Sequence, residues 1–264
     1  MSLRITTALI AIPLLILISW VGSVWLTIFV MLVAIGGASE VCTLAYKWGD
    51  RPTVILGLFC AGALVILGHL LNTNPPPHVA LFSILPILTI MIVAWMIADH
   101  GSGTRLAGVK ATIGSSMYTG GTLFYIPLIR GLEEGFAWLV LLFITIFASD
   151  TGALFVGRLL GKKSLAPTIS PTKTWEGAIG GLLASLVAAV VMLYVTNLDV
   201  DIGKIILLGI SIGFVAQVGD LVESKLKRQA GVDNSGNLLP GHGGILDRLD
   251  SIVFNLVVVY YFAI

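Results

Sequence analysis

The chain has 264 residues, of which 57% are hydrophobic and 11% charged, and its mean hydropathy is +1.00. Soluble domains run at about 45–50% apolar and about 25% charged, so most of this chain belongs in a bilayer. A formal net charge of +1 supplies no basic footprint for nucleic acid.

A membrane-crossing helix takes about 20 apolar residues. By that measure the sequence predicts spans at 5–20, 23–46, 53–71, 79–98, 108–129, 135–157, 177–196, 204–223 and 250–264. The expected fold is an all-α polytopic bundle of about nine transmembrane helices in one membrane domain. Residues 1–130 are expected to form a helical scaffold and lipid cavity, and 131–264 the catalytic helices and polar loops. Arg4 and the apolar run after it resemble a signal peptide. No small-residue cleavage site closes that run, so a retained first helix is expected. Only Val21-Gly22-Ser23 separates the first two spans, and the fifth is rich in Gly, Ser and Thr. Cys42 and Cys60 lie inside apolar runs and are expected simply to pack.

Charge placement orients these spans. One side receives Arg4, Lys47, Arg51, Arg105, Lys110, Arg158, Lys162, Lys163, Lys173, Lys225, Lys227, Arg228 and Arg248. The other receives Arg130 and Lys204, beside Glu133, Glu134, Asp199 and Asp201. The positive-inside rule then puts the N-terminus and both long polar stretches, 158–176 and 224–249, in the cytoplasm. The C-terminus falls outside. A single hairpin, 177–223, joins the two polar stretches.

The later stretch carries the densest charge. Between Gly219 and Ser251 stand Asp220, Glu223, Lys225, Lys227, Arg228, Asp233, Asp247, Arg248 and Asp250. Charge near hydrocarbon is costly unless it pairs, binds metal or meets water. Gln217, Asp220, Ser224 and Lys227 recur at helical spacing and share a face, with Glu223 beside Asp220. Asp247 and Asp250, three apart, are expected to share another. Carboxylates converging from two helices suit Mg²⁺, and the competing reading is that Asp247 neutralises a nearby basic residue. Gly241, Gly243 and Gly244 allow a close backbone approach to a phosphate at a helix start, or form an ordinary turn. His242 contacts phosphate or hydrogen-bonds within that turn.

The earlier stretch contains Gly161-Lys-Lys-Ser164 and Ser170-Pro-Thr-Lys-Thr-Trp-Glu-Gly177. It lacks the upstream glycine spacing of a Walker A loop. Basic and hydroxyl residues together suit several phosphates. Lys162 and Lys163 also fit a plain positive-inside anchor. Lys173, between hydroxyl residues in a Ser-Pro turn, fits that role less well. Asp150, flanked by Ser149 and Thr151 in apolar sequence, is a site candidate, and Glu40 and Asp99 are weaker ones.

Gln217-Val-Gly-Asp-Leu-Val-Glu-Ser-Lys-Leu-Lys-Arg228 and Leu239-Pro-Gly-His-Gly-Gly-Ile-Leu-Asp-Arg-Leu-Asp-Ser251 together resemble the signature of the phosphatidate cytidylyltransferases, or CDP-diacylglycerol synthases. Ser149-Asp-Thr-Gly-Ala and Ser170–Gly177 are similar to that family's other polar motifs, in the same order. The close resemblance covers roughly 150–252, and the N-terminal half agrees in hydropathy only. One departure is Asp233-Asn234, where the family usually has Lys-Asp; no role is carried onto those positions.

The resemblance implies that CTP and phosphatidate give CDP-diacylglycerol and pyrophosphate, in phospholipid biosynthesis, with Mg²⁺ required and K⁺ as a further candidate at the site. On it, Asp220 and Asp247 hold the metal with Glu223 and Asp250 assisting. Lys173, Lys227, Arg228 and Arg248 bind phosphates, and Asp150 orients a partner group. Ser170, Thr174, Ser224, Gly241, His242, Gly243 and Gly244 complete the implied substrate site. A homodimer in the inner membrane, with its active site facing the cytoplasm, is also implied. The rival of another class is a secondary transporter with buried carboxylates, against which stand the charges clustered in long cytoplasmic loops and the lack of an inverted repeat. A CDP-alcohol phosphotransferase would need an Asp-Gly-x-x-Ala-Arg motif, which is absent.

Overall fold

Apolar runs in lipid become helices because each backbone N–H and C=O must find a partner within its own segment. The computed structural model describes residues 17–73, 88–89, 91–92, 95, 103–236 and 243–264. The expected span 79–98 and most of 5–20 lie outside the described residues or are only sparsely covered by them. Asp99, Gly241 and His242 lie outside as well.

In chain order the helices are α1 (Ser23–Trp48), α2 (Val54–Thr73), α3 (Arg105–Ser116), a π-helical turn (Met117–Gly121), α4 (Tyr125–Gly131) and α5 (Gly135–Leu160). A short antiparallel pair follows, β1 (Ser164–Ala166) and β2 (Ser170–Thr174). Then come α6 (Trp175–Thr196), α7 (Ile202–Gln229), α8 (Leu246–Leu249) and α9 (Val253–Ala263). Among the described residues, five helices are long and apolar enough to cross a membrane: α1, α2, α5, α6 and α7.

Two expected spans take another form. The segment expected at 108–129 is broken into α3, the π turn and α4. There the hydroxyls of Ser115, Ser116, Thr119 and Thr122 bond back to carbonyls three or four residues earlier, an arrangement that bends helices. The last helix has 11 residues, which rise only about 16 Å and fall short of a bilayer core of about 30 Å.

The chain divides into two compact units. One comprises Met1–Gly131 with Lys225–Leu249, the other Leu132–Ser224 with Asp250–Ile264. In the first, α1 packs against α2 and α3. Gly120 admits α2 so closely that a Cβ there would stand 2.5 Å from the Ala61 carbonyl oxygen. Small residues at such crossings let helices gain dispersion contact where lipid leaves little hydrophobic drive. Cys42 is buried and donates to Ser115 Oγ at 3.3 Å, and Cys42 and Cys60 are both free thiols.

In the second unit α5 and α6 form a tight pair through facing small residues. A Cβ on Gly181 would stand 2.9 Å from the carbonyl oxygen of Ser149. Gln217 Nε2 donates to the Ala178 carbonyl at 2.9 Å and fastens α7 to the start of α6.

Candidate active site

The polar stretch 161–177 folds into a hairpin and a helix start. Thr174 is the N-cap of α6, its extended backbone letting Oγ1 accept from the Gly177 N–H at 3.1 Å. Glu176 Oε2 accepts from the amides of Lys162 at 3.1 Å and Lys163 at 3.3 Å, closing the hairpin onto the first turn of that helix. Trp175 N–H donates to the Lys163 carbonyl at 3.0 Å. Ser170 pairs with Ala166 across the strands. Lys173 therefore projects from a braced strand, and its ammonium forms an ion pair with Asp220.

Asp220 and Glu223 stand three apart on α7 and share a face, as the spacing predicts. Asp250 lies in the turn after α8, and Gly219 lacks the Cβ that would collide with its carbonyl oxygen. One ligand oxygen from each of Asp220, Glu223 and Asp250 lies within 4.8 Å of the others. Glu223 is fully buried and the other two are half-buried. Asp250 Oδ1 accepts from the Ser251 amide at 2.7 Å, and Ser224 Oγ reaches Asp220 Oδ1 at 3.4 Å. Three carboxylates so close repel one another, and a hard divalent cation offsets that repulsion while matching an all-oxygen donor set. The residues present fit such an ion. Asp150 stands exposed on α5, one residue from the buried Ser149.

The remaining predicted residues belong to the other compact unit. Lys227 Nζ lies 2.7 Å from Asp247 Oδ1. Asp247 Oδ2 accepts from the amides of Gly244 at 2.8 Å and Ser235 at 3.0 Å. Asp247 thus has a basic neighbour, as one of its two sequence readings supposed. It shares no helical face with Asp250, because α8 ends at Leu249 and the chain turns. Arg228 Nη1 lies 2.9 Å from Asp233 Oδ1 in an exposed pair. Arg248 is in α8, and Gly243 takes φ 83°, a left-handed conformation that suits glycine. Ser235 escaped the sequence reading, since a lone Ser in a Gly/Asn-rich bend carries no distinguishing signal. Glu40, a weak candidate by sequence, proves to be buried and fully engaged with this segment.

The fold and site define a helical membrane protein with a cluster of three carboxylates beside a braced lysine. Comparison with known proteins is more specific. The chain belongs to the cytidylyltransferase family, whose profile matches residues 2–264. It is 34% identical to the phosphatidate cytidylyltransferase of Brucella suis biovar 1 (strain 1330), over 98% of this chain and 92% of the relative. It is also 34% identical to the phosphatidate cytidylyltransferase of Staphylococcus haemolyticus (strain JCSC1435), over 97% of this chain and 96% of that one. The similarity thus extends through the N-terminal half, where the sequence motifs offered only hydropathy.

Proposed function

We propose that this chain transfers the cytidylyl group of CTP to phosphatidate, giving CDP-diacylglycerol and pyrophosphate. A phosphatidate oxygen attacks the α-phosphorus of CTP, the bond to the β-phosphate oxygen breaks, and pyrophosphate leaves with its electron pair. Phosphatidate is already an anion at neutral pH, so the reaction needs no Ser, Cys or His nucleophile. The obstacle is repulsion between two anions and the charge that builds on the leaving pyrophosphate. The single observation that carries this reading is the convergence of Asp220, Glu223 and Asp250 next to Lys173 in a chain of this family.

Asp220, Glu223 and Asp250 would hold the metal, Mg²⁺ with K⁺ as a further occupant, and Asp247, whose Oδ1 pairs with Lys227, is assigned to the metal on the signature alone. When bound, such an ion neutralises phosphate charge and orients oxygens for in-line displacement. Lys173 binds a substrate phosphate, exchanging Asp220 for it, and the hairpin with the Thr174 cap holds its stem in place. Ser170, Thr174 and Ser224 offer hydroxyls to phosphate oxygens, and Asp150 orients a partner group. Lys227, Arg228, Arg248 and the segment Gly241-His242-Gly243 are assigned to substrate phosphates on the signature alone, while the Gly244 amide is engaged by Asp247 Oδ2. The reading also takes about nine membrane segments, with the broken 105–131 and the short 253–263 counted among them, a cytoplasmic N-terminus, an active site facing the cytoplasm at the inner membrane, and a homodimer.

Purified protein incubated with each nucleoside triphosphate, phosphatidate and Mg²⁺ tests the reaction directly. The expected outcome is a CDP-lipid and one pyrophosphate per turnover from CTP. Solute flux in liposomes without any nucleotide-lipid would favour the transporter instead.

A further inference from the structure

We propose that Glu40 is a positioning residue for the signature segment, acting through Ser235 and Asp247 without touching substrate. Glu40 stands within the apolar helix α1 and is 7% exposed. Its Oε1 accepts from the Ile245 amide at 2.9 Å, and its Oε2 from the Leu246 amide at 2.9 Å. The Ser235 hydroxyl lies 2.8 Å from Glu40 Oε2 and 3.0 Å from Asp247 Oδ2. One hydroxyl has one proton, so it serves these carboxylates in turn while the Ser235 amide stays on Asp247 at 3.0 Å. A chain of polar contacts thus runs Glu40, Ser235, Asp247, Lys227, and joins α1 to a segment 195 residues further on.

The backbone is shaped to admit this carboxylate. A Cβ on Gly236 would stand 2.5 Å from Glu40 Oε1, and one on Gly244 would collide with Glu40 Oε2 and Ser235 Oγ. Gly244, read from sequence as a place for phosphate to approach, is packed against a protein carboxylate. Both oxygens of Glu40 are occupied, so nothing in its geometry offers a ligand position. A hydrophobic side chain would be the cheaper occupant of a buried place on an apolar helix. What the carboxylate adds is a fixed conformation for residues 244–247 and, through Ser235, a fixed orientation for Asp247.

The kinetic part of this inference rests on the proposed transfer reaction, whereas the structural part does not. The test uses the full chain in lipid nanodiscs as wild type, Glu40→Gln, Ser235→Ala and the double variant. Rates with CTP and phosphatidate are measured beside amide hydrogen exchange. Glu40→Gln is expected to lower kcat about tenfold or more with the KM for CTP within about threefold, the worth of charged hydrogen bonds that orient a site. Exchange at Ile245 and Leu246 accelerates while peptides from α5 and α6 do not change. Ser235→Ala gives a smaller loss, and the double variant is no worse than Glu40→Gln alone, because both act on one chain of contacts. Wild-type kcat and exchange in both variants overturn the proposal, as does a raised KM at unchanged kcat, the mark of direct substrate contact. If Glu40→Gln fails to fold, Ser235→Ala decides on the same two readouts. Local acceleration of exchange in a chain whose wild type makes no CDP-lipid leaves the positioning role standing and removes the reaction.

Discussion

Lys227 Nζ lies 2.7 Å from Oδ1 of Asp247, a carboxylate whose other oxygen is held by the amides of Ser235 and Gly244. The two side chains are 17% and 6% exposed, so removing either takes a close ion-pair partner from a largely buried charge. Asp247→Asn and Lys227→Ala should each cost about 2–4 kcal/mol in the detergent-solubilised protein. The double variant should cost less than the sum, because the one ion pair that each single change removes can be lost only once. Both single variants should also lose most turnover. Strict additivity in thermal denaturation would mean the pair is not coupled.

The acidic cluster gives a prediction of opposite sign for stability. Asp220, Glu223 and Asp250 repel one another, and Lys173 offsets only the charge of Asp220, so Asp250→Asn should leave the metal-free protein as stable as wild type or more so, whereas Asp220→Asn also gives up the Lys173 pair. Wild type should gain thermal stability on adding Mg²⁺, and the variants should lose that gain together with about a hundredfold or more in turnover. Denaturation curves in chelator and in Mg²⁺, run beside labelled-CTP assays, check both halves. A full Mg²⁺ stabilisation retained in both variants would place the metal elsewhere.

Lys173 is held by its hairpin and by the N-cap of α6, so its loss should be felt by the substrate more than by the fold. Lys173→Ala is expected to raise the KM for CTP or phosphatidate about tenfold or more, the worth of a charge-assisted phosphate contact. The thermal midpoint in Mg²⁺ should move little, because the added cation offsets the Asp220 charge that Lys173 leaves behind. Lys173→Arg should recover part of the affinity. Unchanged kinetics in the alanine variant would return Lys173 to the role of a membrane-side anchor.

What the sequence made legible follows from the physics each residue obeys. Apolar run length marks helices well, and α1, α2, α5, α6 and α7 lie close to their expected bounds. Hydropathy cannot see hydroxyls bonding back to the backbone, so the break at Met117–Gly121 was hidden inside one expected span. Spacing located Asp220 and Glu223 because α7 is continuous through both. It misled at Asp247 and Asp250, since three residues apart means a shared face only if the helix continues, and α8 has four residues. The strands around Lys173 were equally hidden, as a polar Ser-Pro-Thr stretch has no alternating apolar pattern. Glu40 and Ser235 could be joined only by three-dimensional packing, 195 positions apart.

The departure from the family signature at Asp233 supplies a final test. Asp233 faces Arg228 at 2.9 Å, and both side chains are exposed, 87% and 51%. Water and ions screen such a pair, so breaking it should leave stability unchanged. Its effect on phosphate binding is another matter: while Asp233 holds the guanidinium, a substrate anion must compete for Arg228 and meets a like charge beside it. Asp233→Lys turns that repulsion into attraction and restores the residue type the signature usually has. The expected result is a lower KM for CTP, about threefold to tenfold, shrinking as ionic strength rises, with kcat and thermal midpoint unaltered. A KM that does not move, or that moves equally at low and high salt, would show that the substrate phosphates do not reach Arg228.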